Sequence, residues 1–271
     1  MPTVTIGIPT FNRKYFLEIM AASLYRSDLH ISHSIRIFDD CSSEYGIDTL
    51  KEIFPTAKSI KINNKNLKAD KNMYQMYLDF LSTDDDYFFN ADSDIIFAKQ
   101  WLNTALEMIE KTDGILSLFN ATSHKSYQII DDIFCLKKTI GAAGTLFRRE
   151  RILEILDHFD SMDKVKSFDW QWSEYCTNNN IRIFCVNKSL VQHIGYMGQN
   201  SIKYFDMGRG FKIETLNDGQ IINDNFVECL DKIYTEQINN FKYHIYRCFV
   251  IILKKIIPDV IVKKIKQNLK K

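Results

Sequence analysis

Tyr87-Phe88-Phe89-Asn90-Ala91-Asp92-Ser93-Asp94 runs three aromatic residues into a polar, acidic turn. Aromatic side chains favour strands, and Asn, Asp and Ser favour the turns that end them. The stretch therefore predicts a strand whose C-terminal end carries two carboxylates, two positions apart. Upstream, Thr3 to Pro9 is β-rich and apolar and runs into the turn TFNR. Ser34 to Phe38 is a short buried strand ending in Asp39-Asp40-Cys41-Ser42-Ser43, and Lys58 to Ile62 is a third strand. Between these strands, Arg13–Tyr25, Gly46–Phe54 and Asp70–Leu81 read as helices, the first with Phe16, Met20 and Leu24 on one stripe. Strand and helix in alternation build a mostly parallel sheet covered by helices. Acidic residues thus collect at two strand ends, which is where open α/β sheets bind ligands.

Downstream, Trp101 to Lys111 reads as a helix and Gly114 to Phe119 as a strand. GAAGTLFRRE (Gly141 to Glu150), a helix near Ile152 to Phe159, SFDWQWSEYC, the strand IRIFCV and VQHIGYMGQNS follow. From Lys203 to Asn225 the chain is polar and irregular, with no internal repeat or low-complexity linker.

The 271 residues, 45% of them hydrophobic, suffice for one large α/β domain with a small appendage, and they exclude a disordered chain. A net charge of +1 argues against a protein that wraps nucleic acid. The charge is unevenly placed, because from Lys242 to Lys271 nine Lys and Arg stand against the single acid Asp259. That segment carries +8 and leaves −7 on the remainder. A basic tail on an acidic body predicts a separate partner for the tail. Ile245, Phe249, Ile252 and Ile256 recur in it at helical spacing. Pro258 breaks the stretch, and Ile261, Ile265 and Leu269 continue the stripe beyond. CFVIIL stops at Lys254 and Lys255, well short of the ~20 apolar residues of a membrane-spanning helix. The expectation is a pair of interfacial helices lying on an anionic membrane; the alternative is that Phe249 to Leu253 packs on the domain. The six cysteines (Cys41, Cys135, Cys176, Cys185, Cys229, Cys248) show no CxxC pair and are expected as reduced thiols. The opening MPTVTIGIPTF has neither the charged nor the apolar region of a signal peptide. A cytoplasmic protein, peripheral on the inner face of the cell membrane, is therefore expected.

Asp92 and Asp94 at a strand end can turn toward one hard cation, for which oxygen ligands suit Mg²⁺ or Mn²⁺. Read alone, Asp-x-Asp is also an ordinary solvated turn, and Asp39-Asp40 is also turn and cap chemistry. His193 fits a core histidine, and Asp169 a cap for the helix that follows it. Trp170 and Trp172 fit either core or a stacking surface, and Gly141 and Gly144 fit plain turns.

In combination, these segments resemble the family-2 glycosyltransferases over almost the whole chain. IGIPTFNR is similar to that family's first strand, and IRIFDDCSSE to its second, which ends in a nucleotide-binding Asp pair. NKNLKADKN resembles the Asn-x-Gly-x-x-x-Ala-Arg-Asn stretch, with Asn66, Asp70 and Lys71 standing for its Gly, Ala and Arg. FFNADSD resembles the strand ending in the metal-binding DxD, and GAAGTLFRRE the segment lining the donor sugar. SFDWQW resembles the Glu-Asp motif of the catalytic base with Phe168 in place of the Glu, and VQHIGYMGQNS resembles a late His-Ile-Gly segment.

The resemblance implies a GT-A fold: a Rossmann-like, mostly parallel central sheet flanked by helices, with a small C-terminal helical appendage. Residues 1–225 would form the catalytic domain, with the nucleotide in 1–100 and donor sugar and acceptor in 101–225; residues 226–271 would be the basic tail. It implies Asp169 as catalytic base, and Asp94 with His193, and Asp92 as a further ligand, around Mn²⁺ or Mg²⁺. It places the nucleotide-sugar, a UDP-sugar by family habit, on Pro9, Thr10, Asn12, Arg13, Asp39, Asp40, Lys71, Asp92, Ser93 and Gly144. Trp170 and Trp172 would face the acceptor, a glycan or lipid-linked molecule. The implied activity is inverting sugar transfer in bacterial surface-polysaccharide synthesis. A haloacid-dehalogenase-type phosphatase also uses an Asp-x-Asp pair, but it wants the pair after the first strand. Sugar nucleotidyltransferases carry a glycine-rich loop where this chain has TFNRK. A non-catalytic nucleotide-sugar-binding subunit is the remaining alternative.

Overall fold

The computed structural model describes residues 2–121, 126–141, 143–159, 167–195 and 206–211, all within one compact unit. The first half alternates as expected: β1 (Val4–Thr10), α1 (Lys14–Arg26), β2 (His33–Asp39), α2 (Ile47–Ile53), β3 (Ser59–Ile62), α3 (Ala69–Leu81) and β4 (Tyr87–Asn90). Then come β5 (Ile95–Phe97), α4 (Trp101–Ile109), β6 (Ile115–Ser117), β7 (Gln128–Ile129), β8 (Phe134–Lys137) and β9 (Thr145–Arg148). The described elements finish with α5 (Arg149–His158), α6 (Phe168–Asn178), β10 (Ile183–Val186) and β11 (Val191–His193).

Nine strands form one sheet in the order β3-β2-β1-β4-β9-β6-β10-β8-β7. Seven of them point the same way, and only β9 and β8 run against their neighbours. The mainly parallel sheet expected from sequence is therefore present. Its departure is β9, which inserts antiparallel between β4 and β6. TLFR is four residues long and flows directly into Arg149-Glu150-Arg151 at the start of α5, so nothing in its pattern announces a central strand.

Side-chain alternation along the strands feeds a core on each face of the sheet. Val4, Ile6, Ile8 and Phe89 pack with Leu17, Met20, Leu24, Trp101 and Leu102 on one side. Phe88 and Phe147 pack with Met76, Tyr77, Phe80, Ile152 and Trp172 on the other. The buried stripe of α1 runs through Leu17, Met20, Ala21 and Leu24, with Phe16 only half-buried, one position from the expected line. Gly7 in β1 has a packing reason: a Cβ there would lie 2.5 Å from Phe88 Cζ and 2.8 Å from Met76 Sδ. Glycine lets α3 close onto the sheet.

Ligand-side geometry follows from where the parallel strands stop. β1 and β2 end side by side at Thr10 and Asp39, and their neighbour β4 stops three residues earlier, at Asn90 opposite Gly7. Just past the end of β4, β5 pairs antiparallel with β11 as a separate two-stranded ribbon, in the register His193↔Ile95. The cysteines at 41, 135, 176 and 185 are free thiols, as their spacing predicts. No helix among the described residues is long and apolar enough to cross a membrane. The tail, 226–271, lies outside the described residues.

Candidate active site

Asp92 and Asp94 follow β4 in a turn that leads straight into β5. Pairing of β5 with β11 brings His193 opposite Ile95, and the Ile194 N–H donates to the Asp94 carbonyl at 2.8 Å. Two stretches a hundred residues apart are thereby registered by backbone alone. His193 Nε2 lies 3.1 Å from Asp94 Oδ1, and Arg13 Nη1 donates to Asp94 Oδ2 at 2.7 Å. One ligand atom from each of Asp92, Asp94 and His193 falls within 4.8 Å of the others. Two carboxylates and an imidazole at that spacing form a donor set that fits Mn²⁺ or Mg²⁺.

The electrostatics divide the two acids. Burial and the neighbouring Asp94 charge push Asp92 up to about 7. Burial works against Asp94 too, but His193 and Arg13 outweigh it and hold Asp94 down at about 2. Burial lowers His193, and the adjacent carboxylates, Asp94 foremost, more than reverse that and leave it raised. The pair thus shares one negative charge below neutrality, carried by Asp94 and already faced by Arg13 and His193.

A constraint invisible in the sequence pattern sits at Gly195. A Cβ built there would lie 2.0 Å from Asp94 Oδ2 and 2.9 Å from His193 Cε1. Its φ is outside the positive range, so the need for glycine is steric: the backbone must pass against the carboxylate.

The second cluster lies at the ends of β1 and β2. Asp39, buried, accepts hydrogen bonds from Thr10 Oγ1 at 2.8 Å, Ser42 N at 2.9 Å and Ser42 Oγ at 2.5 Å. Asp40, also buried, accepts from Leu67 N at 2.7 Å and Asn63 Nδ2 at 3.0 Å. These acids shape the loops around the expected nucleotide position. Asn12, at φ 52°, takes the Ser43 N–H on Oδ1 at 2.8 Å and donates its own N–H to Ser42 Oγ at 2.7 Å. The loop after β1 is therefore stitched to the loop after β2. Pro9 is half-buried near the end of β1, Ser93 half-buried in the turn between Asp92 and Asp94, and Lys71 half-buried in the first turn of α3.

Asp169 sits in the first turn of α6 and accepts the Trp170 N–H on Oδ1 at 2.9 Å. Its position is set by Asp70, whose carboxylate accepts the N–H groups of Ser167 at 2.9 Å and Phe168 at 3.0 Å. Asp70 thus ties the start of α3 to the start of α6, a link between two separate helix starts that sequence reading missed. Tyr77 connects the two acids: burial raises its hydroxyl well above its usual range, and the charges of Asp92 and Asp169 add to that. Both carboxylates therefore lie within electrostatic reach of one buried hydroxyl, which has no hydrogen-bond partner among the described residues.

Packing separates the two tryptophans and gives Gly144 a structural role of its own. Trp172, read as an acceptor contact, is 2% exposed and packs against Tyr77 with ring centroids 4.5 Å apart. It is a core residue, because α6 turns that face onto α3 and the sheet. Trp170, two positions away, is 63% exposed and remains free for stacking. Gly144, read as lining the donor sugar, has φ 72°, and a Cβ on it would meet Val191 Cγ2 at 2.5 Å. Its glycine requirement comes from its turn and from seating β11 against the sheet.

No protein-family model and no curated protein sequence matches the chain. Solved structures do. S. aureus TarS 1-349, determined also in complex with UDP, superposes with a TM-score of 0.51 at 16% identity, covering 70% of this chain and 60% of that one. The mannosyltransferase PcManGT from Pyrobaculum calidifontis, in complex with GDP-Man and Mn²⁺, superposes with a TM-score of 0.51 at 14% identity, covering 73% and 58%. In both cases the match spans less than two thirds of the neighbour's length. At these identities the likeness is one of fold: a mixed α/β architecture with a large, mainly parallel central sheet flanked by helices.

Proposed function

We propose that this chain is a metal-dependent glycosyltransferase that moves a sugar, with inversion, from a nucleoside-diphosphate donor, a UDP-sugar, to a glycan or lipid-linked acceptor in bacterial surface-polysaccharide synthesis. The observation that carries the reading is the Asp92, Asp94 and His193 cluster at the end of β4, in a fold shared with structures that hold UDP or GDP-Man and Mn²⁺.

Asp94, His193 and Asp92 would hold Mn²⁺ or Mg²⁺, which supplies positive charge to the leaving diphosphate as the sugar–phosphate bond breaks. The loops stitched by Asp39, Asp40 and Asn12 form the floor for base and ribose. Asp169, kept on α6 by Asp70, takes the proton of the acceptor hydroxyl as its oxygen attacks the anomeric carbon opposite the diphosphate. Trp170 offers a flat exposed face beside that base for a sugar ring of the acceptor. The basic segment 226–271 would hold the enzyme on the inner face of the membrane, next to a lipid-linked acceptor.

The test is a panel of nucleotide-sugars with and without Mn²⁺, read by thermal melting and then by transfer or donor hydrolysis. A ligand that binds only the folded chain raises its melting temperature. Stabilisation by a UDP-sugar only with Mn²⁺, lost in Asp94→Ala, is the expected result. Full activity in excess chelator overturns the metal assignment, and donor binding without turnover on any acceptor returns the chain to a binding subunit. For the tail, a chain ending at Asn240 should lose binding to anionic liposomes that the full chain shows at low salt.

A further inference from the structure

Arg13 holds one oxygen of the carboxylate on which an incoming cation would depend. Both oxygens of Asp94 are engaged, Oδ1 by His193 Nε2 at 3.1 Å and Oδ2 by Arg13 Nη1 at 2.7 Å. The Gly195 backbone closes off Oδ2 from another side, leaving no room even for a methyl group. Asp94 is 10% exposed at its side chain, while the Arg13 side chain above it is 28% exposed. Of the two partners of this ion pair, Arg13 is therefore the more solvent-exposed. His193 belongs to the donor set and can stay when a cation binds. A guanidinium cannot stay at that distance, because two more positive charges within a few ångströms repel it strongly in a poorly hydrated site.

We propose that Arg13 is a resident counter-cation of the unloaded site: the divalent ion displaces it from Asp94, and the released guanidinium pairs with the diphosphate of the donor. The proposal rests on the assignment of Asp92, Asp94 and His193 as the cation site. The backbone beneath Arg13 is built to stay in place during the exchange. Asn12 is anchored on Ser42 and Ser43, its carbonyl accepts from the Tyr45 hydroxyl at 3.2 Å, and the Lys14 N–H is held by Glu44 Oε2 at 3.0 Å. Asn12 and Arg13 both hold left-handed backbone angles without being glycine, φ 52° and 61°, so the loop is held in an uncommon conformation by these contacts. Movement is thus confined to the Arg13 side chain, which already rests over the Phe16 ring at 4.5 Å. The exchange makes cation and nucleotide cooperative. A metal ion arriving alone must break an ion pair, whereas one arriving with a diphosphate brings the anion that receives the guanidinium.

The experiment measures Mn²⁺ binding to the full chain, by titration calorimetry or by the free-Mn²⁺ spin-resonance signal, with and without UDP. Wild type, Arg13→Met, Arg13→Gln and Asp94→Ala are compared, and melting curves establish that each is folded. Arg13→Met keeps a stem of similar reach over Phe16 and removes the charge. Expected for both Arg13 variants is tighter binding of Mn²⁺ alone, by about tenfold, the scale of a lost charge-assisted hydrogen bond. With saturating UDP that gain should vanish or reverse. Unchanged or weaker binding of Mn²⁺ alone in both Arg13 variants, with Asp94→Ala abolishing it, overturns the counter-cation role and leaves the metal site standing. Unchanged Mn²⁺ binding in Asp94→Ala removes the metal site itself, and the proposal with it.

Discussion

Gly195→Ala tests the steric logic of the cation cluster with the smallest possible change. The added Cβ would start 2.0 Å from Asp94 Oδ2, whereas ordinary van der Waals contact begins near 3.4 Å. Either the carboxylate or the backbone of residues 193–195 must move by roughly 1.4 Å to relieve this, a distance set by those two separations. The Ile194 N–H bond to the Asp94 carbonyl, 2.8 Å, pins both segments, so the relief falls on the Asp94 side chain. That movement takes Oδ2 out of reach of Arg13, now 2.7 Å away, and stretches the 3.1 Å contact with His193. A misplacement on the ångström scale at a reacting centre costs about 10²-fold in rate, and a similar loss of Mn²⁺ affinity is expected. Because φ at Gly195 lies outside the positive range, alanine can adopt the backbone, and the melting temperature should fall by only a few degrees. Gly141→Ala is the control: a Cβ there meets nothing within 4 Å, and wild-type behaviour is expected. Mn²⁺ affinity, donor hydrolysis and thermal melting are the assays. If Gly195→Ala binds Mn²⁺ and turns over like wild type while remaining folded, the carboxylate is not confined as described and the cluster is not the working site.

Asp169→Asn should keep fold and Mn²⁺ affinity but lower turnover by about 10²-fold or more at saturating acceptor, the scale of a lost general base; near wild-type turnover would place the base elsewhere. The two tryptophans should separate cleanly. Trp170→Ala leaves the melting temperature in place and raises the KM for acceptor, whereas Trp172→Ala, which empties a core position, costs about 3–5 kcal/mol of stability. Equal effects of the two on melting would contradict their different burial. Mn²⁺ binding should depend on pH with a defined sign. Asp92, raised to about 7, and His193, also raised, must both lose protons to become ligands. Affinity should therefore keep rising with pH through neutrality and flatten only once both groups have lost their protons, falling by tenfold or more per pH unit on the acid side; a flat calorimetric profile between pH 5 and 8 would show that these groups do not titrate against the metal.

The alternation of elements through the first ninety residues was legible because each carries its own local signal. Strands such as VTIGIPT are apolar nearly throughout, as a parallel strand buried on both faces must be, and polar turns punctuate them. Beyond Asp94 every described strand is short, two to four residues, β5, β6, β8, β9 and β11 among them. Their pairing is non-local, so a period-2 or period-3.6 pattern has too few residues in which to show. The antiparallel placement of β9 is decided by the partners β4 and β6 on either side, not by TLFR itself. The tryptophan pair failed for a related reason. Composition marks SFDWQW as rich in aromatics, but which tryptophan turns inward depends on how α6 is rotated against Tyr77 and Phe147, and that follows from packing.

At the site itself the legible and illegible parts divide along the same line. Asp92 and Asp94 could be read because both come from one turn, and His193 because a short motif flags it. The dependence of one upon the other could not. Residue 195 follows two positions after His193, just past the end of β11, and both lie against the Asp94 carboxylate. One brings an imidazole to Asp94, and the other, by having no side chain, makes room for that carboxylate to lie against the backbone. Any larger residue at 195 would drive the Asp94 carboxylate away from His193. The His-x-Gly spacing is therefore a single device with two functions, one bringing an imidazole to Asp94 and one clearing room for that carboxylate. The register His193↔Ile95 between β11 and β5 aligns it with the end of β4. That register also explains why Gly144 matters at a distance, since its missing side chain lets Val191 seat the same strand. Two glycines and one backbone pairing hold the His193 imidazole in place against Asp94, and none of the three contributes an atom to the proposed donor set.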